Sequence, residues 1–448
     1  MQKNIYPRVL IIGESFHLMS GGGITLVSLF KDWPRQNLAV VVKRNKYMLF
    51  EYCSNYYGLG YLEEKRCWPF HYFQKKNESG PIKENDWISK QSIHAFPPEN
   101  IGQKSKVKSL FIQFLHFLGL YPVIYRSKVS EKYIQWLDEF HPDIVYTQLS
   151  SINMMKFVKQ TIEKRNIPLA IHIMDDWPKT LKEPGILYFY WKKVIENKFK
   201  ELLDYSSVRM SICSAMSEEY MARYGIKFIP FHNSVDLSKW RNISKTDWTC
   251  NQVFTILYAG RIGIGVQESV LMIARAVEIL AENGYSIHFK IRSGSFPGDF
   301  KTKLNNFHHT KIEGYLSNNE MPKELAGADL LVLPLDFNKL EFTRLSMPTK
   351  VPEYLISGTP ILVIAHRETA LYRYAKKYGW GLTVSENEVE KITEKIKLFY
   401  KNHKLRQMYG ETGKKIASKY HNGEMIRKDF VLTLKDAIYN SQPMTHVQ

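Results

Sequence analysis

Short apolar runs rich in β-branched residues alternate along the chain with stretches whose apolar positions recur every three or four residues. The first pattern predicts buried strands and the second amphipathic helices. In the first half, Arg8–Ile12, Leu38–Lys43, Asp143–Thr147 and Leu169–Met174 are predicted strands. Helices are predicted over Ile24–Asp32 and Met155–Lys164. In the second half, Val253–Ala259, Ser286–Ile291, Asp329–Leu333 and Ile361–Ala365 are predicted strands. One helix there carries Leu271, Ala274, Ala276, Val277 and Leu280 and stops near Gly284. A short one opens at Pro352–Ile356, and a third is marked by Ile392, Ile396 and Phe399.

This alternation predicts an α/β fold of two doubly wound domains with parallel sheets. Leu237–Gln252 is polar and aperiodic and is the predicted linker. The expected division is 1–240, 241–425 and a terminal segment 426–448. In that segment Ile426, Phe430, Leu434 and Ile438 form one stripe at i, i+4 spacing, which predicts a helix crossing back onto the first domain. Ligands in such sheets bind beyond the carboxyl ends of the strands, so a cleft faced by both domains is the expected site. Residues 55–132 stand apart as an aromatic-rich, poorly periodic insertion.

The chain's 448 residues suffice for two cores. Lys and Arg number 62 against 44 Asp and Glu, a net charge of +18 that predicts an anionic partner. Nucleic acid is not the expected one, because no reader motif is present and the basic residues are interspersed with carboxylates. Lys104, Lys106, Lys108, Arg126, Lys128 and Lys132 surround Phe111, Phe114, Leu115, Phe117 and Leu118. Basic residues flanking an apolar segment suit either an anionic membrane surface or a buried helix with a solvated edge. The stretch from Ser109 to Tyr125 is too short and too interrupted to span a bilayer, and the run Val9–Gly13 is too short for a signal peptide. Cys53, Cys67, Cys213 and Cys250 are scattered, with no metal or redox spacing, as expected of a reduced, cytoplasmic protein.

Several segments share their order with one family. They are Gly21-Gly22-Gly23, His141–Tyr146, Cys213–Tyr220 with Tyr224-Gly225, Asn233–Asp236, Tyr258-Ala259-Gly260-Arg261, and Pro348–Pro360. Together with Glu313-Gly314-Tyr315 and Ala328-Asp329-Leu330, they make the chain resemble GT-B glycosyltransferases. The resemblance is to glycosyltransferase family 4 and its bacterial polysaccharide relatives. It implies two Rossmann-like domains and transfer of a sugar, such as a hexose, from a nucleotide-sugar. The implied acceptor is lipid-linked or a polysaccharide, in cell-surface glycan synthesis. It further implies retention of configuration and peripheral association with the inner face of the cell membrane. A catalytically inactive scaffold of the same fold, assisting a partner enzyme, is the alternative.

The resemblance assigns Glu353 to the nucleotide ribose, and Arg261 with Lys350 to the donor diphosphate as a cationic clamp. A guanidinium fork suits that geometry. Ser346 and Thr349 add hydroxyls beside it, and Gly22 and Gly23 let backbone approach the ligand. Two family positions differ. Leu345 stands where a Glu would touch the donor sugar, with Glu341 upstream, and Val266 stands where a Lys would follow Arg261. Asp175 and Asp176 end the strand Leu169–Met174 and are candidates for acceptor binding or general-base work, with His172 within the strand itself. Adjacent carboxylates do not make an Asp-x-Asp metal site, so neither a metal nor another cofactor is expected.

Overall fold

Val9–Ile12, Ile144–Thr147 and Ile361–Ile364 are buried along their whole length. Such strands need cover on both faces, which crossover helices of a parallel sheet supply. The computed structural model describes residues 6–43, 47–67, 70–74, 77–85, 114–115, 117–119, 124–180, 186–250, 252–294, 296–314, 316–317 and 319–441. The chain forms two units, Met1–Phe231 with Arg427–Gln448, and His232–Ile426.

The first unit contains β1 (Val9–Ile12), β2 (Leu38–Lys43), β3 (Asn55–Leu59), β4 (Glu64–Arg66), β5 (Gly80–Ile82), β6 (Tyr125–Ser127), β7 (Ile144–Thr147), β8 (Leu169–Ile173), β9 (Val208–Ser211) and β10 (Ile229–Pro230). Its main sheet runs β10-β9-β8-β7-β1-β2-β3-β5. Every ladder is parallel except β3 with β5. The chain winds outward from β1 in one direction and, after β7, in the other, so the order reverses between β1 and β7. The first helix spans Gly21–Leu29 and starts three residues before the expected Ile24, because Ser20 Oγ accepts the Gly23 amide at 3.2 Å and caps it.

The segment 55–132 is less foreign than its composition suggests. β3 and β5 extend the main sheet, while β4 and β6 form a two-stranded ribbon. The buried Glu63 carboxylate ties these pieces together. It accepts from Tyr57 Oη at 2.8 Å, from the Gly60 amide at 3.0 Å, and from the hydroxyls of Ser79 and Ser130. A buried carboxylate persists when its lone pairs are satisfied in this way. Lys104, Lys106, Lys108 and Phe111 lie outside the described residues.

The last helix, Gly423–Ser441, belongs to the first unit from Arg427 onward. Phe430 is fully buried and meets the rings of Phe30, Trp33, Tyr146 and Phe231 at centroid distances of 5.1–6.2 Å, all near edge-on. That is a favoured aromatic geometry. Arg427 Nε reaches Asp32 Oδ2 at 2.5 Å beside it.

The second unit holds β11 (Phe254–Ala259), β12 (Ile287–Arg292), β13 (Thr310–Glu313), β14 (Leu330–Pro334), β15 (Ile361–Ile364) and β16 (Leu382–Val384). The order is β13-β12-β11-β14-β15-β16, all parallel, reversing between β11 and β14. The helix Gln267–Glu282 buries Val270, Ile273, Ala274, Val277 and Leu280 against this sheet.

The expected linker 237–252 is instead stitched into the second unit, and the units divide after Phe231 rather than after 240. Trp240 and Trp248 are buried. Ser244 Oγ donates to Ile356 O at 2.7 Å, Lys245 Nζ to Ala328 O at 2.9 Å, and Trp248 Nε1 to Gly358 O at 2.8 Å. The Arg406 guanidinium, also buried, donates to Trp248 O at 2.7 and 2.9 Å. Ser244, Lys245 and Trp248 thus anchor the stretch to distant backbone carbonyls, which is how a segment of polar composition joins a packed unit.

Phe430→Ala removes a ring held by four others and leaves a cavity. The expected loss is about 3–5 kcal/mol, read as a lower urea midpoint of the transition that reports on the first unit.

Candidate active site

In a doubly wound sheet the connections leaving two neighbouring strands diverge where the strand order reverses, and a crevice opens there. In the second unit that place holds a cavity of about 490 Å³. It is lined by the carboxyl ends of β11 and β14 (Tyr258, Leu333, Pro334, Leu335), by Arg261 and Gly263–Val266, and by Thr343, Ser346 and Lys350.

Two tyrosines build its floor. Tyr354 Oη accepts the Ala259 amide at 2.8 Å and donates to Ala259 O at 3.2 Å, fastening the helix Val351–Ser357 to the end of β11. Tyr258 Oη donates to Arg261 O at 2.9 Å and so fixes the backbone that carries the guanidinium. The Lys350 ammonium lies 4.0 Å from the Tyr258 ring centroid, a cation–π distance. A Cβ at position 260 would fall 1.9 Å from Lys350 Nζ, so a side chain there would push the ammonium out of this position. Burial pushes the Lys350 ammonium down to about 7, against the pull of Glu353.

Asp336, just past β14, is buried and joins the two diverging connections. Its carboxylate accepts the Ser269 amide at 2.9 Å, in the first turn of the helix Gln267–Glu282, which has no side-chain cap of its own. Its own amide donates to Gly265 O at 2.7 Å. Burial raises the Asp336 carboxyl, and the amide donors oppose the rise. Neither Asp336 nor Gly263 and Gly265 stands out in the sequence, although a glycine-rich turn between strand and helix is a signal that would find the loop.

Arg261, Lys350 and Ser346 therefore share one cavity, while Thr349 does not line it. Glu353 sits in the first turn of the helix Val351–Ser357, exposed at its surface. Its close surroundings raise its carboxyl, and Lys239 and Lys350 pull it back. Leu345 is buried, Glu341 is exposed, and Val266 lines the cavity.

The first unit reverses its strand order between β1 and β7, and a polar cluster lies where those strands end. His17 Nδ1 accepts the Met19 amide at 3.0 Å, which leaves Nε2 to donate to Glu14 Oε1 at 3.2 Å. Ser15 N donates to the same oxygen at 3.0 Å. A Cβ at Gly22 would stand 2.7 Å from Gln148 Oε1 and 3.0 Å from Glu14 Oε2, and one at Gly23 would strike His17 O. The glycines thus admit Glu14, His17 and Gln148, residues absent from the expected site. A Glu and a His three apart after a first strand, followed by three glycines, are the signal they left.

Asp175 and Asp176 do not act alike. Arg223 grips Asp176 by two bonds of 2.6 and 2.7 Å, and Tyr220 Oη donates to it at 3.1 Å. Its carboxylate is only 8% exposed. Asp176 thus has both oxygens engaged by Arg223, a charge-assisted pair that holds the carboxylate in place. Asp175 is exposed. His172 is fully buried, with Nδ1 2.7 Å from Tyr146 Oη, and burial pushes it down to about 3, so it stays neutral. Among the described residues no group of three or more His, Cys, Asp or Glu is placed to hold a metal ion.

Residues 253–402 match the family model described as glycosyl transferases group 1. Sequence comparison with curated proteins finds no match. Among solved structures, sucrose-phosphate synthase from Thermosynechococcus elongatus is similar at a TM-score of 0.61 and 11% identity, over 97% of this chain and 99% of that one. Anabaena HepE in complex with UDP and glucose is similar at 0.58 and 12%, over 96% and 100%. A glycosyltransferase from Rickettsia africae is similar at 0.57 and 10%, over 96% and 98%. The chain thus has the GT-B glycosyltransferase fold, two Rossmann-like domains each wound about a parallel sheet. Its second unit carries a group 1 glycosyl transferase domain, and the cavity at β11 and β14 lies within that domain.

Lys350, reductively methylated with a carbon-13 label, is expected to titrate near pH 7 by NMR, while exposed lysines titrate near ~10.4. A midpoint in the ordinary lysine range would show that the ammonium is solvated.

Proposed function

We propose that the protein transfers a sugar from a nucleoside-diphosphate sugar to a lipid-linked or glycan acceptor. The carrying observation is the cavity at the β11/β14 reversal with two cations, Arg261 and Lys350, on its wall. The name of the HepE structure records UDP and glucose bound to that protein, which supports a nucleotide-sugar donor here. When the bond between sugar and diphosphate breaks, negative charge accumulates on the departing phosphate. A guanidinium and an ammonium already in place stabilise that charge without reorganising. Ser346 adds a hydroxyl to the same wall. Glu353 is proposed for the ribose.

The acceptor hydroxyl is assigned to Glu14 and His17 in the first unit, with Gln148 beside them. His17 is held as the tautomer that feeds a hydrogen bond to Glu14, so the carboxylate is the group that receives the acceptor's proton or orients its hydroxyl. Retention of configuration and a role in cell-surface glycan synthesis follow the family resemblance. A scaffold without turnover is the second reading. It is favoured by the buried Leu345, which offers a donor sugar no hydrogen bond.

Thermal-shift measurements with uridine, guanosine, adenosine and cytidine diphosphates test the donor site. One of them should raise the melting temperature by mass action, and Arg261→Ala or Lys350→Ala should abolish the rise. Binding takes up a proton at Lys350 once the pH exceeds about 7. Affinity should therefore fall above pH 7, by up to about tenfold per pH unit. No shift with any nucleotide would sink the donor assignment.

Glu14→Gln keeps the shape of the acceptor cluster and removes its charge. Transfer should drop about 10²–10⁴-fold with nucleotide affinity unchanged. Unaltered transfer would remove Glu14 from the reaction, and nucleotide binding without transfer by the unsubstituted protein would favour the scaffold.

A further inference from the structure

The cavity of the second unit has two ends of different character. At one end Arg261 and the Lys350 ammonium, 4.0 Å from the Tyr258 ring centroid, supply positive charge. The other end is gathered where β14 stops. Asp336 N donates to Gly265 O at 2.7 Å, and a Cβ on Gly265 would lie 3.2 Å from Thr343 Cγ2. Val266, Leu335 and Phe342 are the chain neighbours of those three residues, and all of them line the space. Ile264, between Gly263 and Gly265, lines it too, yet is 76% exposed. A large apolar residue so exposed at the mouth of a cavity is placed to cover an apolar part of a ligand.

Most hydroxyls on the cavity wall already have their protons engaged. Tyr258 Oη donates to Arg261 O, and Thr343 Oγ1 donates to Lys339 O at 3.2 Å and to Asp336 O at 3.5 Å. Among the described residues that line the cavity, Ser346 is the remaining side-chain hydroxyl. The loop backbone at 263–266 can bond hydroxyls on a sugar ring itself. The substituent that stands away from the ring meets a different wall. A hydroxymethyl group there would set its oxygen against Val266, Leu335 and Phe342, and a polar group buried without a partner weakens binding. A methyl group fills the same place and releases water from apolar surface. An acetamido group is a poorer match, because its N–H and its C=O both need partners that these side chains do not offer.

We propose that the donor is the conjugate of a 6-deoxyhexose, its methyl group seated against Val266, Leu335 and Phe342 with Ile264 over it. The proposal rests on the reading that this cavity takes a nucleoside-diphosphate sugar, and it names the class of sugar. The two halves of the donor then divide the cavity between them. The diphosphate meets Arg261 and Lys350, and the sugar's methyl group meets the apolar end.

Calorimetric titration of the full chain with matched pairs tests it. For whichever nucleoside diphosphate binds, its glucose, mannose and galactose conjugates are each compared with the 6-deoxy counterpart of the same configuration. At least one 6-deoxy conjugate should bind about 10–100-fold tighter than its hydroxylated partner, and tighter than the free diphosphate. Val266→Thr keeps the side-chain volume, adds a hydroxyl to the wall and should shrink that ratio. Ile264→Ser changes an exposed side chain and should weaken the 6-deoxy conjugate more than the free diphosphate. Hydroxylated conjugates that bind as well as or better than their partners in every pair would overturn the proposal. So would tighter binding of a 2-acetamido-2-deoxyhexose conjugate, or a ratio that neither variant moves. The free diphosphate separates the two readings. If it binds and the 6-deoxy preference is absent, only the sugar assignment fails. If neither it nor any conjugate binds, the donor site itself fails, and the sugar assignment with it.

Discussion

A parallel strand can be followed by another parallel strand only if the chain leaves at one end and returns over a face of the sheet. Both units obey this, and in each the returns run to opposite sides of one pair of strands. Between β1 and β7, and between β11 and β14, the two outgoing connections part and leave the strand ends without cover. The polar chemistry of the molecule gathers at those two places because no packed helix can fill them. Arg261 and Lys350 stand at one, and Glu14, His17 and Gln148 at the other. The two positions follow from winding a sheet outward in both directions, before any particular side chain is chosen.

What the side chains add is rigidity around an opening. In the second unit each loop beside the crevice is tied to something that cannot move freely. Ala259 is clasped on both its amide and its carbonyl by Tyr354, Arg261 is fixed through its carbonyl by Tyr258, and the Gly265 and Ser269 backbones meet at Asp336. These bonds use backbone groups that the strands could not pair. They leave the guanidinium and ammonium free of the task of holding the loops. Lys350 has its chief neighbour in a ring face rather than a carboxylate, which keeps it from being neutralised by an internal ion pair.

The strands were legible because burial on both faces leaves a continuous apolar run, and the last helix because its stripe at Phe430 and Leu434 has to cover something. Arg261, Ser346 and Lys350 were reached through a family pattern of local motifs, and they share one cavity. Less was visible where the partner lies far along the chain. Trp248 and Lys245 sit in a stretch polar enough for a linker, yet they bond to backbone more than 80 residues away. Glu63 reads as one surface acid among many until Ser79 and Ser130 close on it. Asp176 invites a catalytic reading from its place at the end of β8, and its ion pair with Arg223, 47 positions later, was not legible in the sequence. Charge and polarity say that a group needs a partner, and the fold alone says whether that partner is water, protein or substrate.

The division of the chain has a consequence for its synthesis. The first unit is made of two separated pieces, with the whole of the second unit between them. On the ribosome, Phe30, Trp33, Tyr146 and Phe231 emerge long before Phe430 is added. At roughly 5–20 residues per second the intervening segment takes on the order of 10–40 s to produce. For that time the nascent first unit presents an open aromatic seat while the continuous second unit can fold to completion. The order of assembly is then the reverse of the order of emergence. The half that is translated first is finished last, when its own final helix arrives, and until then that seat is the natural target for a chaperone.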